Sequence, residues 1–150
     1  MPTQITLADA ADAEAIFTLV AGQHLPLDGL REHLATTLVA REGANIVGSA
    51  ALEFYADGAL LRSVAVAAGR QGHGLGAELT RAALNLAEQR HAAAVYLLTT
   101  TAERFFPKFG FERVQRDEVP PGVKTSVEFT SACPSSAVVM RKELSPEACE

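Results

Sequence analysis

The sequence predicts one α/β domain, a mixed sheet with helices on both faces. Three observations carry this. Three strand-like runs, broken only by turn residues, succeed one another between Thr37 and Val66. A glycine-rich loop, Gln71-Gly72-His73-Gly74-Leu75-Gly76-Ala77, then opens a long amphipathic helix. A short apolar run, Val95-Tyr96-Leu97-Leu98, comes next and reads as a buried strand.

Taken in order, Gln4 to Leu7 reads as a short strand. Asp9 is an N-cap, and Ile16, Leu19 and Val20 at helical spacing carry a helix to about Ala21. After Pro26-Leu27, Asp28 caps a second short helix carrying Leu30 and Leu34. Thr37 to Ala40, Ile46 to Phe54 and Leu60 to Val66 form an antiparallel meander. Its turns are Glu42-Gly43-Ala44-Asn45 and Ala56-Asp57-Gly58. Beyond the glycine loop, Leu75, Leu79, Ala82 and Leu86 make one face of a helix ending near His91. Ala102 to Phe109 reads as a short helix despite Pro107, stopped by Gly110. Phe111 to Arg116 and Ala137 to Leu144 are the last strands, and the joining segment, Val119 to Pro134, reads as long and irregular.

Composition excludes several function classes. With 150 residues, 48% of them hydrophobic, the chain fills one ordinary domain with a sizeable core. The net charge of −5 is spread along the sequence, which argues against nucleic acid as the main partner. No apolar run approaches the ~20 residues of a membrane span. Met1-Pro2-Thr3-Gln4-Ile5 does not read as a signal peptide. Cys133 and Cys149 read as free thiols, so the cytoplasm is the expected compartment, and without a third ligand they make no metal site. Oligomeric state is not legible; a homodimer is one assembly compatible with the sequence.

Strand, glycine loop and helix together form a device for binding phosphate. Amides at a helix start lack intrahelical partners, the helix dipole adds positive potential, and glycines let the chain curl around an anion. A plain tight turn is the bland alternative. A Walker loop is excluded because no Lys-Ser or Lys-Thr follows Gly76. Gly72-x-Gly74-x-x-Ala77 satisfies the dinucleotide pattern, but the next strand ends in Leu97-Leu98-Thr99-Thr100, without the required carboxylate.

A third reading fits. Gln71-x-x-Gly74-x-Gly76 resembles the [Arg/Gln]-x-x-Gly-x-[Gly/Ala] signature of the Gcn5-related N-acetyltransferases (GNAT). It lies after Arg62-Ser63-Val64-Ala65-Val66 and before a long amphipathic helix, as in that family. Ala102-Glu103-Arg104-Phe105-Phe106-Pro107-Lys108-Phe109-Gly110-Phe111 is similar to the family's second marker, A-x-x-F-Y-x-x-x-G-F. The sharp matches span about Val64 to Phe111; the element order matches over nearly the whole chain.

The resemblance implies acetyl-CoA as cosubstrate and a strand pair that splays to admit it. Val64, Ala65 and Val66 would pair with the pantetheine amides. Val66 marks the place where a backbone N–H meets the developing oxyanion, a contact worth about 2.7–4 kcal/mol. Gln71, Gly72, Gly74, Leu75, Gly76 and Ala77 would hold the pyrophosphate, and Phe106 would flank the pantetheine arm. Phe106 also departs from the family, since it stands where a tyrosine acid is frequent and a phenyl ring donates no proton. The remaining routes are solvent, a threonine such as Thr101, no acid at all, or a chain that only binds acyl-CoA. For the general base the candidates are Glu53, Glu103 and His24; His73 reads as a solvent-side loop residue.

The acceptor is sketched by a narrower resemblance. Leu97 to Phe106 is similar to the acetyltransferase domain of acetylglutamate synthase. With Leu60 to Val66 and Cys133-Pro134-Ser135-Ser136-Ala137, it also resembles small N-acetyltransferases of bacterial arsenic-resistance clusters. Both imply a small acidic amino acid, glutamate or its arsenic or phosphorus oxyacid analogue. Arg62, Thr99 and Arg104 are the expected contacts, with Lys124 a further cation. A protein Lys or N-terminal acetyltransferase and a silent acyl-CoA-binding module are the alternatives.

Overall fold

The computed structural model describes residues 3–132 and 136–144. Cys133, Pro134 and Cys149 lie outside the described residues. Seven strands form one sheet: β1 (Gln4–Leu7), β2 (Thr37–Glu42), β3 (Asn45–Tyr55), β4 (Gly58–Val66), β5 (Ala94–Thr99), β6 (Glu112–Val114) and β7 (Val138–Glu143). Their spatial order is β1-β2-β3-β4-β5-β7-β6. Every neighbouring pair is antiparallel except β4 and β5. The meander stands as expected, and the crossover into β5 passes through the long helix α2 (Leu75–Gln89).

Side chains alternate across the strands, so each face has its own core. Leu38, Ala40, Ala50, Leu52, Ala59 and Leu61 pack with Leu75, Leu79, Ala83, Leu84 and Ala87 of α2. On the other face Val39, Ala51 and Ala65 pack with Ile16 and Val20 of α1 (Ala13–Gly22) and with Leu30. Burying a leucine such as Leu79 contributes about 1.5–3 kcal/mol. Close approach there requires a glycine: a Cβ on Gly48 would lie 2.7 Å from Leu79 Cδ1. The inner line of α2 runs through Ala83 and Ala87, one position past the expected Ala82 and Leu86, which are only partly buried.

Asp9 caps as expected, accepting from the Ala11 amide at 2.9 Å, while its own amide donates to Asp12. Asp28 does not cap. The next turn, Leu30–Thr36, is 3-10 and starts from Gly29 in a left-handed conformation (φ 76°). The Phe106–Phe109 stretch is also a single 3-10 turn, because Pro107 supplies no amide to an α-helical ladder. The segment after β6 is structured rather than irregular. It holds a 3-10 turn (Arg116–Glu118), a short helix α3 (Pro121–Lys124) and a π-helical turn (Glu128–Ala132). Asp57, in the β3–β4 turn, anchors it by accepting from the Gly122 amide at 2.8 Å and the Val123 amide at 3.2 Å.

Candidate active site

Parallel pairing of β4 with β5 covers only Ala59↔Val95 and Leu60↔Tyr96. Beyond that point β4 runs on to Val66 and β5 to Thr99 with no pairing between them. A bulge assists the divergence: Ser49 pairs with Ala65 and Ala51 with Arg62, so Ser63 and Val64 together face Ala50. Ser63 has φ 57°, left-handed for a residue with a Cβ, and Ser49 Oγ donates to its carbonyl at 2.8 Å.

The opening is a cleft with two compartments. One, of ≈ 480 Å³, is lined by Val64, Ala65, Val66, Gln71, Gly76 and Phe106 among others. The second, of ≈ 510 Å³, lies under Leu25, Pro26, Asp28 and Glu128. Leu25, Arg62, Ser63, Leu98, Thr99 and Thr101 line both, so the compartments join along β4 and the end of β5. Volumes of this size are typical of small-ligand sites.

The glycine loop lies at the mouth of the first compartment. Gly72 and Gly74 hold φ of 85° and 84°, and Gly74 is the N-cap of α2. No side chain caps this helix, so its first amides are left to an external acceptor. Nothing lies within 4 Å of where a Cβ on Gly72 or Gly74 would be. The Leu75 side chain instead turns into the core, so Leu75 presents only backbone to the loop. Gln71 Nε2 donates to the Val66 carbonyl at 3.0 Å and to Gln23 Oε1 at 3.0 Å, which ties loop, β4 and α1 together. His73 is exposed, as expected.

Arg62 and Glu53 occupy places the sequence did not foretell. The Arg62 side chain is wholly buried. Its Nη1 donates to Glu53 Oε2 at 2.9 Å and to the Asp28 carbonyl at 2.6 Å. Nη2 donates to the Pro26 carbonyl at 3.0 Å and Nε to Ser63 Oγ at 3.2 Å. Glu128 Oε2 lies 3.3 Å from Nε. The guanidinium thus pins the 26–28 segment and the 116–132 segment to β4. Glu53 is 1% exposed and absent from the walls of both compartments. Burial pushes its carboxyl up, but hydrogen bonds from Ser126, Tyr55 and Arg62, with His33 nearby, bring it below the usual carboxylate range. Tyr55 Oη donates to Glu53 Oε1 at 2.5 Å, and burial beside that carboxylate pushes the phenol well up.

The cleft therefore brings together Val64, Ala65, Val66, Gln71, Gly76, Phe106, Arg62 and Thr99. Gly72, Gly74, Leu75 and Ala77 lie outside the cleft walls, on the loop and the first turn of α2. Thr99 Oγ1 accepts from the Ala102 amide at 2.9 Å, which turns the chain at the junction. His24 and Thr101 also reach the walls. Glu103 and Arg104 are exposed and, like Lys124, line neither compartment. Ser63 and Glu128 do line the cleft, although neither was a site candidate from the sequence; Ser63 lies inside the Leu60 to Val66 resemblance, while only packing of distant segments places Glu128 there. Among the described residues no group of His, Cys, Asp or Glu is arranged to hold a metal. No described helix is long and apolar enough to cross a membrane.

Comparison with known proteins agrees with this architecture. The chain superposes on N-acetylglutamate synthase of Neisseria gonorrhoeae, solved with coenzyme A and N-acetyl-glutamate, with a TM-score of 0.82 and 21% identity over 96% of this chain. It spans only 35% of that protein. The Rv2747 protein of Mycobacterium tuberculosis, solved in complex with CoA, aligns with a TM-score of 0.80 and 24% identity, covering 94% of this chain and 99% of that one. A GNAT-family acetyltransferase of Staphylococcus aureus Mu50 gives 0.75 and 16%, covering 95% and 99%. No curated protein matches at a significant level. The family model described as an acetyltransferase (GNAT) domain matches residues 33–113, more than half the chain, which runs from the turn before β2 through β6. With the splayed β4–β5 pair and the uncapped glycine loop inside that span, the chain belongs to the GNAT family of acetyltransferases.

Proposed function

We propose that the chain is an acetyl-CoA-dependent N-acetyltransferase acting on the amino group of a small free amino acid. The observation that carries this is the two-compartment cleft meeting at Ser63 and Thr99. It has room for both ligands at once, so the amine attacks the thioester directly in a ternary complex. The amine nitrogen bonds to the carbonyl carbon, the C–S bond breaks, and the thiol leaves. Val64, Ala65 and Val66 face the pantetheine arm, with backbone N–H at Val66 serving the oxyanion. Gln71, Gly72, Gly74, Gly76 and Ala77 receive the pyrophosphate, aided by the positive end of α2. Phe106 packs against the arm. A thiol with pKa about 8.5 leaves as thiolate without an acid.

Glu53 acts through Arg62 as a positioning group in this reading. A carboxylate held below its usual range and sealed from the cleft is poorly placed to take the amine's proton, which departs through water. The compartment of ≈ 510 Å³ walled by Glu128 suits a small acceptor. An acidic acceptor, glutamate or an arsenic or phosphorus oxyacid analogue, is the second reading. The likeness to N-acetylglutamate synthase favours it. Thiol release from acetyl-CoA is the test, with amino acids beside lysine-containing peptides. Release with free amino acids supports the proposal, and release with peptides alone overturns the acceptor class. Acetyl-CoA binding without release from any amine makes the chain a binding module.

A further inference from the structure

We infer that Glu128 is a specificity residue of the acceptor compartment, selecting acceptors with an ammonium group and at most one carboxylate against those carrying a second acidic group. The inference rests on the amino-acid acceptor proposed above and narrows it.

Glu128 is only 4% exposed, yet it lines the acceptor compartment. Its carboxylate stands 3.3 Å from Arg62 Nε, and Arg62 is the guanidinium that also holds Glu53. One buried cation is therefore shared by two buried carboxylates, and the exposed residue Asp28 lies on the same wall. His24 is the other ionisable residue lining this compartment. The remaining polar walls are the neutral hydroxyls of Ser63, Thr99, Thr100 and Thr101. Arg62 offers little positive potential to a further anion, because Glu53 and Glu128 already face its guanidinium. Beside a buried carboxylate, each like charge brought within several ångströms is repelled more than in bulk water. An ammonium entering the same space is attracted.

Glu128 is also held in place. It begins the π-helical turn, its amide donates to Ser126 Oγ at 3.2 Å, and the segment before it is tied to Asp57. A fixed charge discriminates better than a mobile one, since it cannot swing away from an anionic ligand.

Glutamine and glutamate, or asparagine and aspartate, test this, because each pair differs in charge and hardly in shape. The readout is kcat/KM for each member, or competitive inhibition of whichever amine is turned over. The expected result is a preference for the amide of about tenfold or more, narrowing about tenfold in Glu128→Gln with the acetyl-CoA Kd unchanged. Equal or better use of the acidic partner by the unaltered protein overturns the inference, as does a ratio that Glu128→Gln leaves unmoved. Should Glu128→Gln fail to bind acetyl-CoA, Asp28→Asn, at an exposed position, must narrow the ratio in the same direction by a smaller factor; an unmoved ratio there also overturns it. Absence of thiol release with every amine defeats the proposed function itself, and the inference with it.

Discussion

Arg62 Nη1 lies 2.9 Å from Glu53 Oε2, and neither side chain is more than 1% exposed. The pair joins β3 to β4 below the acceptor compartment and carries Glu128 on its other edge. Removing one partner of a buried ion pair leaves a charge without compensation, at about 3–5 kcal/mol. Arg62→Gln is therefore expected to destabilise the fold by about that much, beyond any effect on the acceptor. Urea denaturation measures it. Adding Glu53→Gln to the first substitution should restore part of the loss, because the stranded carboxylate goes with it.

Glu53 also sets an acid limb of stability. Its folded pKa is depressed, so its contribution is complete above the unfolded carboxyl value of about 4.3 and fades as pH falls through the lower folded value. Glu53→Gln should be less stable than the unaltered protein at pH 7, and the gap should close below about pH 4. Denaturation midpoints between pH 7 and pH 3 decide this; a gap constant with pH would contradict it.

The glycine loop, proposed above to hold the pyrophosphate, calls for steric tests. At Gly76 an added Cβ meets Phe105 Cζ and Val66 Cγ2 at 3.7 Å each, ordinary contact, so a modest side chain fits the fold. Gly76→Val should raise the acetyl-CoA Kd by tenfold or more with a normal thermal transition. Gly74 is a poorer site for this test. Its φ of 84° adds backbone strain of roughly 1–2 kcal/mol to any substitution. Calorimetric titration of the folded Gly76→Val variant at unchanged affinity would remove the loop from the site.

Asp57→Ala should loosen the segment that leads to Glu128, on the wall of the proposed acceptor compartment, without touching the proposed cofactor side. The carboxylate serves two amides of α3, and its loss costs roughly 0.5–2 kcal/mol by analogy with other helix caps. A raised acceptor KM with an unchanged acetyl-CoA Kd is expected. A change confined to kcat would be the contrary result.

Phe106→Tyr should leave turnover unchanged or raise it, because the ring lines the compartment proposed for the cofactor and a phenol there would add an acid stronger than the hydroxyls of Ser63, Thr99 and Thr101. Tyr55→Phe should keep most activity but lose about 1.5–3 kcal/mol of stability, the hydrogen bond to the Glu53 carboxylate being removed. Steady-state kinetics and denaturation on both variants separate the roles.

Much of this protein was legible in the residues alone. Alternation along Thr37 to Val66 and the glycine loop before Leu75 are local patterns, and local patterns determine strands, turns and an anion-binding helix start without knowledge of the rest of the chain. The meander, α2 and β5 followed from them. Partnership between distant segments was not legible. Arg62 read as a free cation for an acidic acceptor and Glu53 as a base, because no periodicity records that residues 53, 62 and 128 converge. The joining segment read as irregular because its order comes from Asp57, more than sixty residues away. Burial and pairing are properties of the packed sheet, and only the tertiary structure turns three scattered charges into one buried cluster beside the compartment proposed for the acceptor.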